Sequence, residues 1–148
     1  MWRARISDIM ERKPAGMVAT DMRTPVGEVL CKMYDAGVGC VIVTKEERPV
    51  GLFTEHDFAG WFAQRRGFVA EAPIGDFMAS DVVCVEPGNT VKDCMSIMAE
   101  EQVFHVPVIE QGRLVGIVSL TDCVQQLAEE RRVEIRYLTD YITSRYPG

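Results

Sequence analysis

Thr54 and Asp57 in GLFTEHDF (51–58), and Ser119 and Asp122 in GIVSLTDC (116–123), share one frame. Each stretch runs glycine, two apolar residues, a hydroxyl residue, two spacers and an aspartate. A hydroxyl and a carboxylate three residues apart can do two things. At a helix start they form a capping box, the hydroxyl accepting from the third helical amide and the acid from the cap amide. In a cleft they can hydrogen-bond a bound molecule, since one carboxylate accepts from two donors at once. Duplication copies a cap as faithfully as a pocket, so the recurrence leaves both readings open. Capping boxes favour the longer Glu or Gln, and Asp stands in both copies, which inclines the reading towards a pocket.

Other reactive residues point nowhere as definite. His56 lies between Glu55 and Asp57, but no second ligand pair has metal-site spacing, and a solvated helix turn accounts for it. No nucleophile–base pair and no GxxxxGK[ST] phosphate loop is present, so no catalytic function is expected. The five cysteines are odd in number and lack CxxC spacing, which fits reduced thiols in a cytoplasmic protein. The net charge of −6 disfavours nucleic acid. No apolar run approaches the ~20 residues of a membrane span, and no secretory signal is expected at the N-terminus.

The elements that must position the two frames are themselves duplicated. Sliding the sequence by 65 residues aligns Gly16–Ala63 with Asp81–Ala128, matching Val18 with Val83, Val38 with Val103, Gly51 with Gly116 and Asp57 with Asp122. Upstream the register is 68, where ISDIM (6–10) matches IGDFM (74–78). Each copy reads as a short strand (MVAT, VVCV), a helix, a two-stranded hairpin and a second helix. Thr24 is expected to cap the first helix with Pro25 at its first position, and the counterpart to start at Asn89. Residues 1–66 form the first repeat, 67–73 a linker, 74–129 the second repeat and 130–148 a helical extension.

This order, the DIM lead-in, the HVPVI strand and the closing GIVSLTD resemble a tandem pair of cystathionine-β-synthase (CBS) domains over roughly residues 6–129. The resemblance implies an α/β (α+β) fold in which two β-α-β-β-α CBS repeats pack about a pseudo-twofold axis. It implies two clefts, each built from both repeats. One would combine Thr54 and Asp57 with Val82, Val83, Val103 and His105; the other would combine Ser119 and Asp122 with Met17, Val18, Val38 and Cys40. In the family the hydroxyl contacts a nucleotide phosphate and the aspartate the ribose hydroxyls, a sensible pairing beside a helix N-terminus. Apolar residues there could sandwich an adenine. The implied ligand is adenosyl in type: AMP, ADP or ATP first, NAD or S-adenosylmethionine as further candidates. His105 stands where the first copy has Cys40, and reads equally as a phosphate contact or a half-buried core histidine. Glu55 would repel a polyphosphate.

The last helix outruns the repeat. From Cys123 no Gly or Pro occurs until Pro147, and Val124, Leu127, Ala128, Ile135, Leu138 and Ile142 form an apolar stripe broken by Arg131. Such a helix either lies across its own module or grips a second copy, and a homodimer is the expectation adopted. Trp61 and Phe62 are expected to pack against the partner repeat or a second subunit. With no attached enzyme, channel or DNA-binding domain in the sequence, the output of a regulatory, energy-sensing module would pass through an unidentified downstream protein. The alternative is a structural or interaction dimer with no small-molecule ligand.

Overall fold

A computed structural model describes residues 3–12, 18–65 and 70–145, without the side chains at 65, 134–135, 137–138 and 141–145. The elements are α1 (Ile6–Arg12), β1 (Ala19–Asp21), α2 (Val26–Ala36), β2 (Cys40–Lys45), β3 (Arg48–Thr54) and α3 (Glu55–Arg65). A 3-10 turn (Ile74–Asp76) then leads to α4 (Val91–Glu101), β4 (His105–Glu110), β5 (Arg113–Ser119) and α5 (Leu120–Arg145). Among the described residues this is a mixed α+β fold with two small sheets, ordered β1-β2-β3 and β4-β5.

The pseudo-symmetry extends to individual backbone groups. Both hairpins slip register at the same place, after Val43 in one and after its counterpart Val108 in the other. Their turns carry left-handed residues, Glu46 and Glu47 in the first and Gln111 and Gly112 in the second. Two consecutive positive φ angles match the twist of a tight hairpin. The helix ends also correspond: Gly37 and Gln102 both close their helices in the left-handed conformation.

The repeats differ at the first strand. In the first, β1 runs parallel to β2 over three residue pairs, and the Ile42 N–H donates to the Val18 carbonyl at 3.0 Å. In the second, Pro107 occupies the position of Ile42 and has no N–H to give. The expected VVCV strand is therefore reduced to one bridge, Val85 against Val108. Helix starts also shift by one residue from expectation, with Pro25 and Thr90 as the caps of α2 and α4. Pro25 fits there because its fixed φ and missing N–H cost nothing before the first turn.

Two hydrophobic cores result, and each is completed by the lead-in of the other repeat. Val26, Val29, Met33, Val41, Val43 and Phe53 are closed over by Ile74 and Phe77. The second core, around Val91, Cys94, Met98, Val106 and Val118, is closed by Ala4, Ile6 and Ile9. Equivalent hydrogen bonds hold both exchanges. Val26 N–H donates to the Ala72 carbonyl at 2.8 Å, and Val91 N–H to the Ala4 carbonyl at 2.9 Å. Ile74 N–H reaches the Thr24 carbonyl at 2.8 Å, and Ile6 N–H the Asn89 carbonyl at 2.9 Å. Each fully buried isoleucine stabilises its core by about 1.5–3 kcal/mol, so the exchange ties the two halves together.

Candidate ligand cleft between the repeats

The interlocked halves leave a cleft of ≈ 430 Å³ between the β3–α3 junction and the start of β4. The first repeat contributes Gly39, Leu52, Thr54, Glu55, His56 and Asp57, and the later half contributes Ala79, Gln102, Val103, Phe104 and His105. That volume falls in the range of small-molecule sites. The walls are mainly apolar, and the titratable residues on them are Glu55, His56, Asp57 and His105.

At its floor the two groups of the first frame bind each other. The Thr54 N–H donates to Asp57 Oδ2 at 3.0 Å, and the Asp57 N–H donates to Thr54 Oγ1 at 3.1 Å. Ser119 and Asp122 repeat this at 2.8 and 3.0 Å. Both frames are complete capping boxes. So is Thr90 with Asp93 at the start of α4, which does not line the cleft. Aspartate is thus no sign against a cap here: three times it is long enough to reach back to the cap amide. The cap holds each carboxylate rigidly, and a carboxylate has a second oxygen for another donor. Cap and ligand contact are compatible roles.

The CBS domain model matches this sequence twice, over residues 6–64 and 74–129. The chain belongs to the CBS domain family. A relative of this CBS pair, the mitochondrial CBS domain-containing protein CBSX3 of Arabidopsis thaliana, is 27% identical over 95% of this chain and 73% of its own length. The solved CBS-domain containing protein from Agrobacterium tumefaciens superposes with a TM-score of 0.76 at 29% identity, covering 83% of this chain and 98% of that one. Two more distant pairs share the fold. One, at 21% identity and TM-score 0.73, was solved with 5′-methylthioadenosine and S-adenosylmethionine; it covers 86% of this chain and 98% of its own. The other, CBSX2, was solved with AMP at 17% identity and TM-score 0.72, with the same coverage.

In this CBS pair the cleft brings together four residues of the first expected set: Thr54, Asp57, Val103 and His105. Val82 and Val83 are half-buried on the approach to Val85 and do not line it. Of the second set, Ser119 and Asp122 form their cap, and Met17 lies outside the described residues. Val18 and Val38 pack on the first core, and Cys40 is buried opposite Thr54 on the hairpin. Burial pushes the Cys40 thiol up to about 12, and the Asp57 carboxylate adds to the rise. Phe104, Gln102, Leu52 and Ala79 were not anticipated. Phe104 is 68% exposed at the cleft although aromatic, and its counterpart across the repeat is Gly39. A large aromatic replacing glycine at an equivalent position was the available signal.

Cys94 and Cys123 both lie in the second core, where the neighbouring Cys123 and burial push the Cys94 thiol up. Neither is accessible. Among the described residues no His, Cys, Asp and Glu group is arranged to hold a metal ion. Trp61 packs on Phe77 with ring centroids 4.3 Å apart, whereas Phe62 is 49% exposed.

Proposed function

We propose that this CBS pair is a regulatory module that binds an adenosyl ligand in the Thr54/Asp57 cleft and passes its state to a partner protein. The observation that carries the reading is the cleft itself, with a rigidly held carboxylate from one repeat facing Val103, Phe104 and His105 of the other. Adenine is flat and fits between apolar walls, and the ribose hydroxyls are donors for Asp57. Distant pairs of the same fold in complex with AMP, 5′-methylthioadenosine or S-adenosylmethionine support the ligand class. AMP, ADP, ATP and NAD belong to the candidates under test. The module acts without catalysis, in the cytoplasm, and needs neither nucleic acid nor membrane. No helix among the described residues is long and apolar enough to cross a bilayer.

Ligand binding across both repeats would change how firmly they hold together, and α5 is the element that would carry the change. Its first turns pack on the second core through Cys123 and Leu127, while Arg131, Arg132, Val133 and Arg136 are all exposed. A second copy gripping this projecting helix would make the homodimer. A ligand that binds only the native state at a hundredfold excess over Kd adds about 2.7 kcal/mol of stability. Thermal melts with adenosine, AMP, ATP, NAD and S-adenosylmethionine should therefore show a shift of several degrees for at least one, lost in Asp57→Ala. No shift with any of them would leave the second reading, a structural dimer. That alternative is favoured by the completeness of the caps, since Thr90–Asp93 performs the same local task away from the cleft.

A further inference from the structure

The cleft has an electrostatic character that the adenosyl reading does not specify. A phosphate group is held best by cations or by unengaged N–H groups at a helix start, with hydroxyl donors such as Thr54 adding to them. Among the described residues no lysine or arginine lines the cleft, and Glu55 joins Asp57 on its wall. The amides at the start of α3 are also taken. Thr54 N–H is held by Asp57, Glu55 N–H donates to the Gly39 carbonyl at 3.1 Å, and Asp57 N–H is held by Thr54. Of the four N–H groups from residue 54 to 57, only that of His56 is left. The second repeat has the same arrangement, with Leu120 N–H on the Phe104 carbonyl at 2.9 Å, but leucine occupies the position of Glu55. The acidic wall therefore belongs to the first cleft's own sequence and not to the repeat.

Resting on the proposed adenosyl site, we infer that this cleft selects adenosyl compounds whose 5′ substituent is neutral or positively charged, such as a thioether or sulfonium, over phosphorylated nucleotides. The ribose end would still meet Asp57 and the adenine the apolar walls. The 5′ end would then lie against a negative wall, where a sulfonium gains Coulomb energy and a phosphate loses it. The polar groups on the lining that could offset this are the Thr54 hydroxyl and the His56 and His105 rings.

Titration calorimetry at pH 7.5 with adenosine, 5′-methylthioadenosine, S-adenosylmethionine, AMP and ATP tests the inference. The Asp122→Asn background confines the measurement to the first cleft, since asparagine keeps an oxygen for the Ser119 cap. S-adenosylmethionine should bind at least about tenfold more tightly than AMP, a difference of about 1.4 kcal/mol, with ATP weaker still. Glu55→Gln should narrow that ratio several-fold without changing the affinity for uncharged adenosine, which controls for a structural effect of the substitution. AMP or ATP binding more tightly than adenosine, or a ratio unmoved by Glu55→Gln, overturns the charge selection while leaving an adenosyl site in place. Absence of binding by all five compounds overturns the site and the selection together.

Discussion

Replacing Ile6 with alanine should loosen the second half of the molecule, although Ile6 lies at the start of the first repeat in sequence. Ile6 is 0% exposed and sits in the core with Val91, Val106 and Val118, while its counterpart Ile74, also 0% exposed, sits with Val26, Val41 and Phe53. Truncating a buried isoleucine to alanine costs about 2–5 kcal/mol, the cavity term depending on how far neighbours collapse. Ile6 N–H donates to the Asn89 carbonyl, and its neighbours Ser7 and Ala4 are bonded to Pro87 and Val91, so collapse is restricted and a cost of about 3 kcal/mol is expected. For a chain of this size each kcal/mol moves the melting temperature by about 2–4 °C, so a drop of about 6–12 °C is expected. Urea titration gives the free energy, and native-state hydrogen exchange locates it. Ile6→Ala should speed exchange in α4, β4 and β5 ahead of α2, and Ile74→Ala should do the reverse. If Ile6→Ala instead loosens α2 and the β2–β3 hairpin first, or leaves the urea midpoint unchanged, the exchanged-core description is wrong.

Gly51 has no room for a side chain: an added Cβ would run into Met78, with the Ala79 carbonyl oxygen only 3.0 Å away. Gly51→Ala should cost about 1–3 kcal/mol in urea unfolding. Gly60, inside α3, would meet nothing within 4 Å, so Gly60→Ala should stabilise by up to about 1 kcal/mol. The Cys40 thiol, raised from 9.0 to about 12, keeps its proton in the folded state after the unfolded chain has lost it. Its contribution to stability is full below about pH 9 and should fall as pH rises towards 12; Cys40→Ser should flatten that decline in unfolding measurements at stepped pH. Truncation after Glu130 should weaken the dimer in light scattering while circular dichroism shows both repeats folded, and an intact chain that stays monomeric at tens of micromolar would remove the dimer helix from the account.

Much of the fold was legible because its signals are local or repeated. Apolar spacing on α4, turn residues at the hairpin tips and a repeat period of 65 residues are properties of neighbouring positions, and each is expressed in a helix, a hairpin or a symmetry relation. The Thr/Ser-x-x-Asp frame was legible as an alternative, cap or pocket, because both uses need the same atoms at the same helix start. Tertiary structure showed that the cap is made in full and that the first copy nevertheless faces a cleft. Three features lay beyond local reading. Pro107 weakens the second copy's first strand only because its nitrogen falls opposite Val83, a fact of strand register. The lead-ins close each other's cores because the chain crosses between the halves, which no residue type announces. Phe104 and Gln102 enter the cleft because the two halves face one another there, so their surroundings are supplied by residues some fifty positions away. Residue types and their spacing determined the elements and their duplication, since those depend on interactions within a few residues. Which half buries Ile6, and which residues share a cleft with Asp57, was decided by long-range packing alone, because burial is a property of the assembled surfaces.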